Sequence, residues 1–278
     1  MPRRLIGQTD RTGRLKKKKQ AGLGAIMRTS AAELSTERQA LVNQWAADPW
    51  SWLIATDPTS PGNPPLIITQ DEKDPANPYK PFPTNRPYQR TIAAELLGAK
   101  QWIFIDKPRQ IMATWEACLL MLHQTIFREG QNGFISKSTR EEAEVVMADK
   151  MRGPLMRTPA WFQTWAQCTI EPLHVLTCLR SGSKVTAVAC NAGERIFRGV
   201  TPSIVLIDEA ARQDALASML QAVYANANRV WVITTPSVGN PGAAECKAIL
   251  TDGDAKMIAA EVAAEEEEST YSPSWDQR

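Results

Sequence analysis

Three short stretches carry residues whose types and order suit the handling of a phosphate chain. The first is WIFIDKPRQIMATWE, residues 102–116, where an apolar run passes through a polar turn into a helix-like segment beginning at Thr114. Backbone N–H groups at a helix start, helped by the helix dipole, hold phosphates. The Thr114 hydroxyl could ligate Mg2+. Set against G-x-x-x-x-G-K-[ST], Thr114 takes the last position and Lys107 the first, while Met112 and Ala113 stand where glycine and lysine would. Lys107 and Arg109 are the candidates to supply that missing charge, because a long side chain can reach back across the loop. The same residues also make an ordinary strand-to-helix turn with two basic side chains facing water.

The second stretch is SIVLIDEAA, residues 203–211, in which an apolar run ends at Asp208 and Glu209. Two adjacent acids at the end of a buried strand are costly unless they bind a cation or a proton. In phosphoryl-transfer sites one such acid holds Mg2+ and a neighbour can orient the attacking water. A pair of acids in a solvated turn is the alternative. The third stretch is VWVITTPSVGN, residues 230–240, a buried run ending in Thr234-Thr235-Pro236. Hydroxyls there could sense a terminal phosphate, although Thr-Thr-Pro also simply ends strands.

These ends must be brought together, and the intervening pattern supplies the means. From about residue 88 strands and helices alternate. YQRTIAAELLGAK, TWEACLLMLHQTIFREG, TREEAEVVMADKMR and ALASMLQAVYANA read as helices, while WIFI, NGFIS, SIVLID and RVWVITT read as strands. VLTCL and KVTAVAC read as a hairpin around SGS. Alternation of this kind predicts an α/β fold with a mainly parallel sheet and helices on both faces. A ligand of such a sheet sits at the carboxyl ends of its strands. Upstream, residues 30–56 read as helical with Leu34, Leu41, Trp45 and Trp50 on an apolar face, and the proline-rich 57–87 as a linker or flap.

Composition bounds the rest. A net charge of +2 over 278 residues gives no global charge signature of a nucleic-acid binder. Charge is concentrated at the ends: MPRRLIGQTDRTGRLKKKKQ at residues 1–20 is basic, and EEEE fills 265–268. Cysteines at 118, 168, 178, 190 and 246 form no CxxC, and their odd number argues for reduced thiols and against a structural zinc. No apolar run reaches membrane-spanning length, so a soluble intracellular protein is expected. The domain reading is a disordered basic arm at 1–28, a helical extension and proline-rich linker at 29–85, the α/β domain at 86–250, and an acidic tail at 251–278.

The order of loop, acid pair and Thr-Thr-Pro resembles the ATPase domain of the large terminase subunit of tailed bacteriophages, over about residues 85–240. The pieces are RPYQ (86–89), PRQIMAT (108–114), FRGVTPSIVLIDEAA (197–211) and ITTPSVGNP (233–241). The resemblance implies a P-loop NTPase of the RecA/ASCE-like type with a helical N-terminal extension. It implies an adenine contact at Tyr88 and Gln89. Lys107, Pro108, Arg109, Gln110, Ile111, Met112, Ala113, Thr114 and Trp115 would form the phosphate loop, with Lys107 in place of the usual lysine. The Walker B pair would be Asp208, with Thr114 on Mg2+, and Glu209, which would orient the attacking water, with Lys107 and Arg109 as the further catalytic residues. Thr234, Thr235 and Pro236 would couple ATP hydrolysis to motion. Arg198 and Arg212 are further basic residues near the site.

The partners so implied are double-stranded DNA, a portal protein, a small terminase subunit and further copies of this chain in a ring, in the host cytoplasm and without a membrane. Large terminases of this kind usually carry an RNase H-like nuclease; none fits after residue 240, so a separate nuclease chain or a truncated product is expected. The alternative to a motor is a non-hydrolysing remnant that binds DNA or portal as a scaffold. A helicase-like ATPase would need a second RecA-like domain, for which the length is insufficient. His123 reads as a helix-face residue rather than a base, His174 lacks a partner at ligand spacing, Cys118 reads as core, and Trp45, Trp50 and Trp52 as packing. Lys16–Lys19 could hold DNA phosphates or another viral protein.

Overall fold

The structure, a computed structural model, describes residues 34–71, 74–108, 111–169, 171–224, 226–235 and 239–251, without the side chains of Glu194 and Leu250. The expectations for the basic arm, the acidic tail, Arg109, Gln110 and Pro236 lie outside the described residues.

Seven strands organise the chain into one sheet: β3 (Trp102–Asp106), β4 (Asn132–Lys137), β5 (Cys168–Thr169), β6 (Val175–Cys178), β7 (Ser183–Ala189), β8 (Ile204–Asp208) and β9 (Val230–Thr234). Their order across the sheet is β3-β9-β8-β4-β7-β6-β5. From β3 through β7 the neighbours run parallel, and β6 and β5 add an antiparallel edge. The expected hairpin around Ser181-Gly182-Ser183 is the β6–β7 connection, with Gly182 at φ +66°. A left-handed turn position of this kind favours glycine. Every position of β8 and β9 is buried, as a parallel strand covered on both faces requires.

Register decides what the strand ends present. Asp106 lies opposite Thr234, Asp208 opposite Ile233, and Ser136 opposite Ile207. The carboxyl ends of β3, β9, β8 and β4 therefore emerge side by side.

The main helices are α3 (Pro87–Leu97), α4 (Ala113–Phe127), α5 (Arg140–Met147) and α9 (Leu216–Tyr224). Thr139 opens α5 with a reciprocal capping box to Glu142. Helix α4 is buried nearly all round, which marks a helix inside the domain rather than on its surface. After α5 the chain passes through a π turn, Ala148–Arg152, into α6 (Gly153–Arg157) and α7 (Ala160–Ala166). The short α8 (Gly193–Phe197) precedes β8, and α10 (Ala243–Thr251) closes the described chain.

The helix expected over residues 30–56 is two helices, α1 (Thr36–Ala47) and α2 (Pro49–Leu53). Asp48-Pro49 breaks it: the residue before proline is pushed out of the helical region, and Asp48 caps α2 by accepting from Trp50 N. Trp45 and Trp52 are buried against α4 and α7. The segment 57–87 holds a short hairpin, β1 (Ile68–Gln70) with β2 (Tyr79–Pro81). It is anchored by buried Asp57, which accepts from Thr59 N, Thr59 Oγ1 and Trp161 Nε1.

Candidate active site

The site begins where β3 ends. The Lys107 amide donates to the Thr234 carbonyl at 3.0 Å, tying the start of the loop to β9. The loop closes at Met112, which caps α4 in the left-handed conformation, φ 60° and ψ 10°. Glycine adopts this backbone at no steric cost, while other L-residues are disfavoured by roughly 1–2 kcal/mol. Met112 thus takes a backbone conformation that glycine would adopt without cost. Ala113 is fully buried and brings no charge.

At the second residue of α4 the loop meets the acid strand. Thr114 Oγ1 donates to Asp208 Oδ1 at 2.7 Å. The other Asp208 oxygen is held by Lys137 Nζ at 3.1 Å, and the same ammonium lies 3.0 Å from Glu209 Oε2. Arg212 reaches that Glu209 oxygen at 3.5 Å. Asp208 and Lys137 are almost entirely buried, with side chains 3% and 11% exposed, while Glu209 is 42% exposed and faces the cleft. Glu209 also has left-handed backbone, φ 53° and ψ 44°. Two strained non-glycine residues thus flank one cleft, a distribution associated with functional sites.

Burial would raise the Glu209 carboxyl, but Lys137 first, then Arg212 and Lys107, outweigh it and hold it below its ordinary value. Burial likewise opposes the Lys137 charge, and Asp208 and Glu209 more than reverse this, so its ammonium is held above the usual range. Lys107 goes the other way. Its burial lowers it, the two acids offset this in part, and Lys137 and Lys150 repel it further.

Supporting bonds fix the edge. The fully buried Gln213 amide donates to the Asp208 carbonyl at 2.6 Å and the Ser136 carbonyl at 3.3 Å, while Ser136 Oγ donates to Gln213 Oε1 at 3.3 Å. One side chain therefore sets the ends of β4 and β8 against each other. Thr234 Oγ1 accepts from the Ala211 amide at 3.0 Å. Since the Thr234 carbonyl also holds Lys107, this threonine joins the loop to the turn after the acid pair. Gly242 packs against that turn so closely that an added Cβ would lie 2.5 Å from the Ala210 oxygen.

A cleft of about 490 Å³ opens above these residues. Lys107, Met112, Thr114, Lys150 and Glu209 form its floor, and Asp71, Lys80 and Arg86 of the 57–87 segment form its opposite wall. The proline-rich segment, expected as a linker or flap, contributes a wall of this cleft. Lys150, from the π turn, stands 4.7 Å over the ring of buried Trp115.

Of the residues expected to act, Lys107, Met112, Ala113, Thr114, Trp115, Asp208, Glu209 and Thr234 converge here. Thr235 is half-buried just beyond Thr234, and Ile111 is buried beneath the loop with Pro108 half-buried at its start. Tyr88 and Gln89 do not line the cleft: Tyr88 accepts at its hydroxyl from Arg86, and Gln89 is fully buried within the domain. Arg86 is the residue of RPYQ that reaches the cleft wall. Arg198 lies exposed after α8.

Sequence reasoning missed Lys137, Lys150, Arg86 and Gln213. Lys137 alone left a signal, as a cation closing the otherwise apolar strand NGFIS beside the strand of the acids.

The donor set fits a hard cation. Thr114 and Asp208 offer oxygens, and Mg2+ is commonly held by one or two protein oxygens together with waters and substrate phosphates. No cluster of three or more His, Cys, Asp or Glu capable of holding a metal occurs among the described residues. All five cysteines are free thiols, and no helix among the described residues is long and apolar enough to cross a membrane.

No protein-family model matches the chain, and no curated protein matches it. Among solved structures it is similar to the large terminase of bacteriophage HK97, at 15% identity over 64% of this chain and 38% of that one, with a TM-score of 0.49. It is similar to the ATPase domain of the Thermus phage P74-26 large terminase, at 16% identity over 62% of this chain and 71% of that one, with a TM-score of 0.41. It is also similar to the large terminase of a thermophilic bacteriophage solved in complex with ADP, at 16% identity over 54% of this chain and 38% of that one, with a TM-score of 0.39. The chain spans less than half the length of the HK97 protein and of the ADP-bound one.

Proposed function

We propose that this chain is an ATPase of the viral packaging type, binding ATP with Mg2+ at the carboxyl edge of the sheet and using its hydrolysis to move double-stranded DNA. The observation that carries the reading is the 2.7 Å hydrogen bond from Thr114 to Asp208. It joins the loop-helix junction to the strand-end acid, with Glu209 next in sequence and open to the cleft.

In this reading the backbone from Lys107 to Thr114 cradles the phosphates, and Lys107 and Arg109 offset their charge. Thr114 and Asp208 would hold Mg2+, which would neutralise charge on the terminal phosphate oxygens. Glu209 orients a water whose oxygen bonds to the γ-phosphorus while the bond to the bridging oxygen breaks, releasing ADP and inorganic phosphate. Catalysis is then mostly positioning and charge stabilisation. Thr234, tied to both loop and acid turn, relays loss of the phosphate, with Thr235 beside it. The proposed assembly is a ring of copies on a portal protein, with a small terminase subunit, in the host cytoplasm.

The missing loop lysine favours a second reading, a scaffold that binds DNA or portal without hydrolysis. ATPase rates with and without double-stranded DNA separate the two. Glu209→Gln should lower the rate by about 10²-fold or more with the fold intact by thermal unfolding. A parent no faster than Glu209→Gln would leave the scaffold.

A further inference from the structure

Ala113 removes the lysine that a phosphate loop normally projects toward the terminal phosphate, yet a buried lysine is paired with the acid that lines the cleft. Lys137 extends from the end of β4 across the adjacent β8 and lies between Asp208 and Glu209, 3.1 and 3.0 Å from the two carboxylates. We infer that Lys137, and not a loop residue, is the cation that binds the terminal phosphate. The inference rests on the nucleotide-site reading and names the group that completes it.

Three features point beyond a plain ion pair. First, Lys137 divides itself between two acids, one of which does not need it. Glu209 is 42% exposed and has Arg212 beside it, so water and a second cation already serve it. A lysine present only to neutralise buried Asp208 gains little by also engaging Glu209, which lines the cleft. Second, Asp208 already receives the Thr114 hydroxyl on its other oxygen. Third, the position is specific along the cleft. Lys107 starts the loop and Lys150 stands over Trp115, while Lys137 alone of these lysines touches Glu209. A carboxylate that orients water on the terminal phosphate must lie beside that phosphate, so the ammonium bonded to the carboxylate is within reach of it as well. Lys80, Arg86, Lys107 and Lys150 line this cleft against Asp71 and Glu209. The surplus positive charge suits an anion carried in by the ligand.

The test is equilibrium binding of fluorescently labelled ADP and a labelled non-hydrolysable ATP analogue, both with Mg2+, to the full chain. The proteins are the parent, Lys137→Met, Lys137→Arg, Lys107→Met, and Lys137→Met combined with Ala113→Lys. Lys137→Met should weaken the triphosphate analogue by about tenfold or more while ADP stays within about threefold, the size expected of one charge-assisted contact. Lys137→Arg should retain most of the triphosphate affinity. Lys107→Met should weaken both nucleotides alike. Restoring the loop lysine through Ala113→Lys should recover triphosphate preference in the Lys137→Met background.

Retained ADP binding shows that the pocket is folded, so instability cannot imitate the expected result. Lys137→Met preferring the triphosphate as strongly as the parent would overturn the inference alone. So would equal loss of both nucleotides in Lys137→Met and Lys137→Arg, which is the mark of a purely structural lysine. A parent that binds neither nucleotide would overturn the functional reading and this inference with it.

Discussion

At its amino end α4 starts from a methionine in left-handed backbone, sends a hydroxyl to a strand-end carboxylate, and buries Glu116 with neither oxygen hydrogen-bonded among the described residues. Two turns later the same helix buries His123 with both ring nitrogens engaged: Nε2 donates to the Trp45 carbonyl at 2.8 Å, and Nδ1 accepts from Gln124 at 3.2 Å. Trp52 and Phe127 pack on that ring, Thr125 returns its hydroxyl to the Met121 carbonyl, and Arg128 caps the end. The later turns are therefore held by satisfied contacts, as packed interiors usually are. The first turn holds strain and an orphaned carboxyl. Such defects persist only where the surroundings over-determine them, and they gather where a ligand is bound. One helix thus has a satisfied half and, beside the cleft, a strained one.

The contrast predicts opposite responses to pH from the two halves, and the larger belongs to Glu116. Burial pushes its carboxyl up to about 9, with the nearby Ala93 amide offsetting little of this. The folded protein keeps this proton between the ordinary carboxylate value and 9, while the unfolded chain releases it. Its contribution to stability is present below about pH 4.5 and is lost as pH rises toward 9. Glu116→Gln removes that loss. Denaturant unfolding should find the variant close to the parent at pH 4 and more stable by about 3 kcal/mol at pH 7. Curves that stay parallel at both pH values would mean that Glu116 is solvated or paired, and the two ends of α4 would no longer differ in kind.

His123 gives the next effect, with the sign reversed. Burial first, then the Arg128 charge, depress it to about 4 against partial compensation by the Trp45 carbonyl and Asp48. The unfolded chain takes up the proton before the folded one does. Stability from neutral His123 is complete above pH 6.5 and declines as pH falls to 4, by about 3 kcal/mol in total and about 2 kcal/mol at pH 5. His123→Asn should flatten that part of the acid limb relative to the parent. An unchanged acid limb would show that the ring is not sealed by α1 and α2.

What could be read beforehand follows the same division between local and assembled features. SIVLID and VWVIT are continuous apolar runs, so β8 and β9, with Asp208 and Thr234 at their ends, were legible from local pattern. The loop was legible as strand, turn and helix. The 68–81 hairpin was not, because its strands are three residues long and lie among prolines, where no alternation can show. The break at Asp48-Pro49 was written in the sequence as a cap followed by proline, but the apolar face running through it suggested one helix. Lys137 was invisible in a different sense. Its meaning comes from the β4–β8 pairing, which places it beside acids that are remote in sequence. Gln213 is similar, since an amide after a turn has no signature until it is buried between two strand ends.

The smallest effect bears most directly on how the loop keeps its shape. Met112 is half-buried, packs against the core, and sits at φ 60°. Replacing it by alanine removes the packing and keeps the left-handed strain. Replacing it by glycine removes both, at the expense of a more flexible unfolded chain, which opposes the gain by roughly 0.5–1 kcal/mol. The two losses of packing are nearly equal, so the comparison isolates the backbone. Met112→Gly should be more stable than Met112→Ala by about 1 kcal/mol in denaturant unfolding, after strain relief of roughly 1–2 kcal/mol is set against the entropy term. If alanine is as stable as glycine, the left-handed cap is not imposed by the fold. If glycine wins, β3, β9 and α4 impose the turn on whichever residue occupies position 112. The amino end of α4 is then strained by construction.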